Sequence, residues 1–253
     1  MVKRLAGVVF AVVSLMAAAT PAKAIIGGSA VSGNPYPFMA AVYVDGGFSC
    51  GGTIISSRWV LTAGHCIGAG VYTVHVNNTS RGAGQVLAVD QAIAHPDFES
   101  GDFTNDVGLL HLAAATSLPT VRLSSAADDY LEADGAKATL VGWGDKTPTL
   151  GLLAPDKLQA RQLTVISDNN CFGESASLNA QTTVCTSDLL AGQCNGDSGG
   201  PLLGATPNGW VEIGIVSNSI TLLCGSVSYL FPSELSEVNA SSIRSWISST
   251  AGV

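Results

Sequence analysis

Three residue types that together carry out acyl transfer each stand in a compact motif of this chain. Ser198 lies in Gly196-Asp197-Ser198-Gly199-Gly200-Pro201, His65 in Thr62-Ala63-Gly64-His65-Cys66, and Asp106 in Asn105-Asp106-Val107-Gly108-Leu109-Leu110. A serine hydroxyl is a weak nucleophile. It needs a base within hydrogen-bond reach and donors aimed at the oxyanion it creates. The glycines around Ser198 serve the second need, because a residue without Cβ lets the backbone turn tightly and present its N–H groups. Each motif has a blander explanation. Gly-x-Ser-x-Gly also describes a plain turn, a histidine beside a cysteine is commonly structural, and an aspartate after asparagine is commonly a turn or cap residue. The three together, in one order, outweigh those explanations. His75, His95 and His111 stand in no such motif and read as surface or satisfied residues.

In the order His, Asp, Ser, these motifs resemble those of the chymotrypsin/trypsin family of serine endopeptidases; subtilisins and α/β-hydrolases place the same residues in other orders. The resemblance covers nearly all of residues 25–253. It implies that His65 takes the Ser198 proton and returns it to the leaving amine, that Asp106 holds the other imidazole nitrogen, and that the N–H groups of Gly196 and Ser198 form the oxyanion hole. It implies two six-stranded antiparallel β-barrels with the cleft between them and a helix at the C-terminus, an all-β chymotrypsin-like fold. The expected activity is peptide-bond hydrolysis through an acyl-enzyme. Protein or peptide substrates are the expected partners, with protein inhibitors as further candidates. No cofactor, no metal, no nucleic acid, no membrane and a monomeric state are expected. Two other classes stay open: a catalytically silent binding protein, and an esterase using the same site.

Specificity rests on fewer residues. Trypsin-like members carry an acid at the base of the S1 pocket, where this chain has Gly192, followed by Gln193. The far wall is Ser217-Asn218-Ser219, with Asn218 in place of an aromatic and Ser219 in place of a glycine that keeps the pocket open. Without a buried carboxylate a cationic side chain would be stranded, so the expected P1 residue is uncharged, small to medium and apolar. Residues 232–238 offer a last pocket strand, with Ser233 near its base and Glu234 or Glu237 as an acid from another direction. Ile25-Ile26-Gly27-Gly28 resembles the family's mature N-terminus, whose α-amino group pairs with the aspartate before the nucleophile, here Asp197. The six cysteines leave every pairing open on sequence alone. The resemblance implies Cys50–Cys66, Cys171–Cys185 and Cys194–Cys224. No Cys-x2-Cys spacing supports a zinc site. No Asp or Glu occurs between Cys66 and Asp90, so no oxygen-ligand set for calcium is expected there.

The elements that must position these residues read mainly as strands. Residues 38–44, 53–55, 59–62, 72–76, 86–89, 137–144, 160–166, 201–203 and 211–216 are short, rich in β-branched and apolar residues and separated by Gly, Ser or Asn. Periodicity alone leaves sandwich and barrel open. Residues 25–128 are assigned to the first barrel, 129–238 to the second and 239–253 to a helix and tail, with Ser124–Asp129 as the linker. Ile243, Trp246 and Ile247 give residues 239–249 one apolar helical face. Residues 1–24 have a basic start (Lys3, Arg4), an apolar run and Ala22-Lys23-Ala24, the pattern of a cleaved secretory leader. Its alanine-rich composition points to a bacterial source. Three basic residues and no acidic one leave with it, so net charge moves from −8 to −11. So acidic a surface repels nucleic acid.

Overall fold

The computed structural model describes residues 25–145, 154–172, 179–189, 191–219, 224 and 232–253; the secretory leader expected at residues 1–24 lies outside them. After a two-residue strand β1 (Ser29–Ala30), six strands close the first barrel: β2 (Met39–Val44), β3 (Gly47–Ile54), β4 (Trp59–Thr62), β5 (Tyr72–Val76), β6 (Gln85–Ala94) and β7 (Gly108–Leu112), in the order β2-β3-β4-β7-β6-β5. β5 shows why. In Tyr72-Thr-Val-His-Val76 the residues Tyr72, Val74 and Val76 are buried and the two between them are half-buried, the two-residue period of a strand with one face on the core.

The second barrel follows β8 (Arg122–Leu123). It comprises β9 (Lys137–Gly142), β10 (Gln159–Ile166), β11 (Thr183–Ser187), β12 (Pro201–Thr206), β13 (Gly209–Ser219) and β14 (Ser233–Glu237). β9 pairs with both β10 and β12, which closes this second ring of six. Leu140, Leu163, Leu202, Ile213 and Leu235 fill its core. Two short strands from the first half of the chain join it: β1 pairs antiparallel with β10, and β8 pairs parallel with β13.

The segment expected as a linker is an ordered turn. Residues 126–131 form a 3-10 helix closed by a reciprocal Ser125–Asp128 capping box. Arg122 donates two hydrogen bonds to Asp128, of 2.6 and 2.8 Å. That guanidinium, aided by Ser125 and opposed by burial, holds the Asp128 carboxyl down at about 2. The last helix, Ser241–Ala251, ends on Gly252 in the left-handed region and packs Ile243 and Ile247 into the core of the first barrel. The C-terminus thus straps the second half of the chain back onto the first. The disulfides Cys50–Cys66, Cys171–Cys185 and Cys194–Cys224 are all formed.

Candidate active site

The β4–β7 ladder brings the first two motifs together. Thr62 pairs with Gly108, so the His65 turn that follows β4 meets the Asp106 segment that precedes β7. The turn Gly64–Cys66 is tied to β3 by the Cys50–Cys66 disulfide. Asp106 is fully buried and grips His65 twice. Its Oδ2 lies 2.7 Å from Nδ1, and its Oδ1 accepts the His65 main-chain N–H at 2.7 Å. With Nδ1 engaged, the lone pair available for proton transfer is on Nε2. Asp106 is itself held. Ser217 Oγ donates to Oδ2 at 2.6 Å, and Ser236 Oγ donates to the Asp106 carbonyl at 2.9 Å. Nothing in the sequence near Asp106 signals these two partners, which lie on β13 and β14.

The Ser198 turn is docked against the same region of the first barrel. Gly51 N donates to the Ser198 carbonyl at 2.7 Å. Gly199 has φ +74, and a Cβ there would meet Thr62 Oγ1 at 2.2 Å and Gly51 O at 2.6 Å, so only glycine lets the turn lie this close to β3 and β4. Within the turn the N–H groups of Asp197, Gly199 and Gly200 are spent on the carbonyls of Cys194, Val216 and Asp197. Among the described residues, the N–H groups of Gly196 and Ser198 donate no hydrogen bond. These are two unspent donors flanking one hydroxyl. Among the described residues the Ser198 hydroxyl makes no hydrogen bond to His65. Catalytic hydrogen bonds are often long before substrate arrives.

The carboxyl of Asp197 is fully buried and accepts hydrogen bonds from Gly144 N at 2.8 Å and Cys194 N at 3.0 Å. Burial pushes it up to about 7; the two N–H donors pull the other way, and nearby Asp145 adds to the rise. Ile25 is likewise fully buried, in the core of the second barrel. Ile26 N donates to Gly192 O at 3.0 Å, and Gly192 N donates to Ile26 O at 3.3 Å. In the intact chain the Ile25 nitrogen is a peptide N–H, and the Asp197 carboxyl is served by main-chain donors.

At the expected S1 wall, Gln193 is buried. Its Nε2 donates to the Asn218 carbonyl and, at 3.3 Å, to the Glu234 carbonyl. A neutral amide therefore bridges β13 and β14 at this point. The Ser219 side chain lies outside the described residues. Glu237 lines a different cavity from Glu234, one shared with Glu132, Asp129 and Asp168. Burial, followed by their mutual proximity, raises the Glu132 carboxyl, and Glu237 is raised chiefly by burial. Cys50, Cys66 and His65 place ligand-type atoms within 4.8 Å of one another, but both sulfurs are taken by the disulfide, leaving no thiolate to bind a metal. Among the described residues no helix is long and apolar enough to cross a membrane.

The family model described as Trypsin matches residues 25–247. Among curated proteins the chain is 29% identical over 234 residues to "Trypsin alpha" of Drosophila melanogaster, covering 90% of this chain and 87% of that protein. It is 28% identical to "Trypsin alpha" of Drosophila erecta over the same shares of each chain. It is also 28% identical over 235 residues to "Trypsin delta" of Drosophila melanogaster, covering 90% of this chain and 88% of that protein.

Proposed function

The chain belongs to the trypsin family and is a serine endopeptidase, and from that premise we propose that Ser198, His65 and Asp106 are its catalytic triad. The double grip of Asp106 on His65 carries this reading. With Nδ1–H held by the carboxylate, Nε2 accepts the Ser198 proton as Oγ attacks the scissile carbonyl, and Asp106 stabilises the imidazolium that forms. The oxyanion is taken by the N–H groups of Gly196 and Ser198, the two donors that the turn leaves unspent. His65 then hands its proton to the leaving amine, and water, activated by the same nitrogen, releases the acyl group. Replacing Ser198 by Ala leaves both backbone donors in place. Ser198→Ala protein is expected to keep its fold, lose all covalent labelling by a fluorophosphonate and retain at most ~10³–10⁴-fold acceleration over water. Wild-type peptide turnover in that variant would reject Ser198 as the nucleophile.

The P1 preference we propose is for uncharged residues. What supports it is that the family resemblance puts Gly192 where a basic side chain would need an acid, and that the next residue, Gln193, is a buried neutral amide. A digest of a peptide library varied at P1 should cut mainly after small to medium apolar residues. Cleavage predominantly after Lys or Arg would overturn this. The three disulfides suit an oxidising compartment outside the cytoplasm, in keeping with export by the leader. The Ile25 α-amino group, once freed by cleavage after Ala24, is the cation we assign to Asp197.

A further inference from the structure

The catalytic scheme leaves one buried acid beside the cleft unused. Glu234 lies on β14, two residues before Ser236 and so on the same face of the strand. It is 2% exposed, and among the described residues neither of its carboxylate oxygens has a hydrogen-bond partner. It lines a small cavity with Asp102, Phe103, Thr183, Ser217 and Ser236. That cavity adjoins the triad at two points. Ser217 donates to Asp106, and the Phe103 ring stands edge-on to the His65 ring at 5.8 Å.

A carboxyl buried without a donor is costly, because it loses its water without a replacement hydrogen bond. Its neighbours do not relieve it. The Ser217 and Ser236 hydroxyls are committed to Asp106, and the Gln193 amide bonds the Glu234 main-chain carbonyl instead of its side chain. Among the described residues the lining contains two acids, Asp102 and Glu234, and no cation. On the proposed reading the P1 side chain lies against Gln193 and the Ser217–Ser219 end of β13, whereas this cavity reaches from Ser217 to Asp102 and Phe103, so a side chain entering it belongs to a residue other than P1.

We propose that Glu234 is a specificity residue that receives the ammonium group of a substrate lysine on the N-terminal side of the scissile bond, entering between Phe103 and Ser217. This rests on the endopeptidase reading above. The size of the cavity selects the cation. Its space of ~10 Å³ suits about one water. An ammonium is a compact point charge of similar size, whereas a guanidinium is a larger planar fork. Phe103 supplies an apolar face for the four-carbon stem. Burial pushes the Glu234 carboxyl up to about 7, so at neutral pH an arriving ammonium readily draws it into the carboxylate form.

The test uses peptides with an uncharged P1 and lysine, arginine or norleucine placed singly at P2, P3 or P4. At one of these positions lysine should exceed norleucine at least tenfold in kcat/KM and should also exceed arginine. In Glu234→Gln the lysine-to-norleucine ratio should fall towards one. Indifference to lysine at all three positions in the wild-type protein, or a preference that survives Glu234→Gln, would overturn the proposal. Binding of the same peptides to Ser198→Ala protein reads the preference without chemistry. Lysine-selective binding together with failure of the wild-type protein to label with a fluorophosphonate would reject the catalytic reading alone. Labelling without lysine selectivity would reject this inference alone.

Discussion

Asp106 Oδ2 receives two donors at once, His65 Nδ1 and Ser217 Oγ. Ser217 was expected to line the S1 wall, and its hydroxyl is instead turned to the buried carboxylate. The two roles separate kinetically. Loss of a hydrogen bond to a charged group costs on the order of 1.5–3 kcal/mol where nothing replaces it. If Ser217 positions Asp106, Ser217→Ala should lower kcat about tenfold with little change in KM, and fluorophosphonate labelling should slow in parallel. A raised KM at unchanged kcat would return Ser217 to the substrate wall alone. This partnership was not legible in the sequence because it joins residues 111 positions apart. The same holds for Phe103 against His65 and for the burial of Glu234. The three motifs were legible because their signal is local: each proposed catalytic residue stands in a short run of residues contiguous in the sequence.

The strands divide in the same way. β4 and β5 have the bounds their sequence predicts, Trp59–Thr62 and Tyr72–Val76, because each is a short apolar or alternating run with clear punctuation. β3 extends well beyond the expected residues 53–55, starting at Gly47. Glycines mask it, since glycine inside a strand usually signals a bulge or a close approach. Here the reason is a close approach: a Cβ at Gly51 would stand 3.0 Å from Gly200 Cα. The feature that hid the strand is the feature that lets the Ser198 turn dock. β1 and β8 are two residues long and carry no pattern that a sequence could show. Their pairings are tertiary events that tie the first half of the chain to the second barrel. The C-terminal helix was expected at residues 239–249 and forms at Ser241–Ala251. Its apolar face was readable; that this face docks on the first barrel was not, because the three-to-four spacing specifies a buried face without specifying its partner.

At the scale of the whole molecule, burial raises several carboxyls of the second half of the chain well above the usual carboxylate range. Burial raises Asp197 to about 7, Glu212 to about 8 and Glu234 to about 7. An acid whose folded pKa lies above its unfolded value of about 4 holds its proton more tightly when folded. The intact chain therefore loses stability as pH rises from about 4 through about 7 to 8. On the proposed Ile25–Asp197 pairing, cleavage before Ile25 changes this for Asp197. An α-amino group has an ordinary pKa of about 8. Paired with Asp197, its pKa is raised and that of the carboxyl is lowered, so the pair contributes fully near neutrality and is lost as pH rises through the raised amine value. Two forms of Ser198→Ala protein make the comparison without autolysis: one beginning at Ile25, the other carrying a retained Met before it. The melting temperature of the Ile25 form should exceed that of the extended form by ~5 °C near pH 7–8. The gap should narrow towards pH 5, where Asp197 of the extended form stays protonated at little cost, and narrow again above about pH 10, where the amine is neutral. In the catalytically competent protein the same extra Met should depress peptide turnover, since an unpaired Asp197 no longer anchors the turn that presents Gly196 and Ser198. Parallel melting curves across this range, together with full activity of the extended form, would show that Ile25 and Asp197 do not form an activating pair.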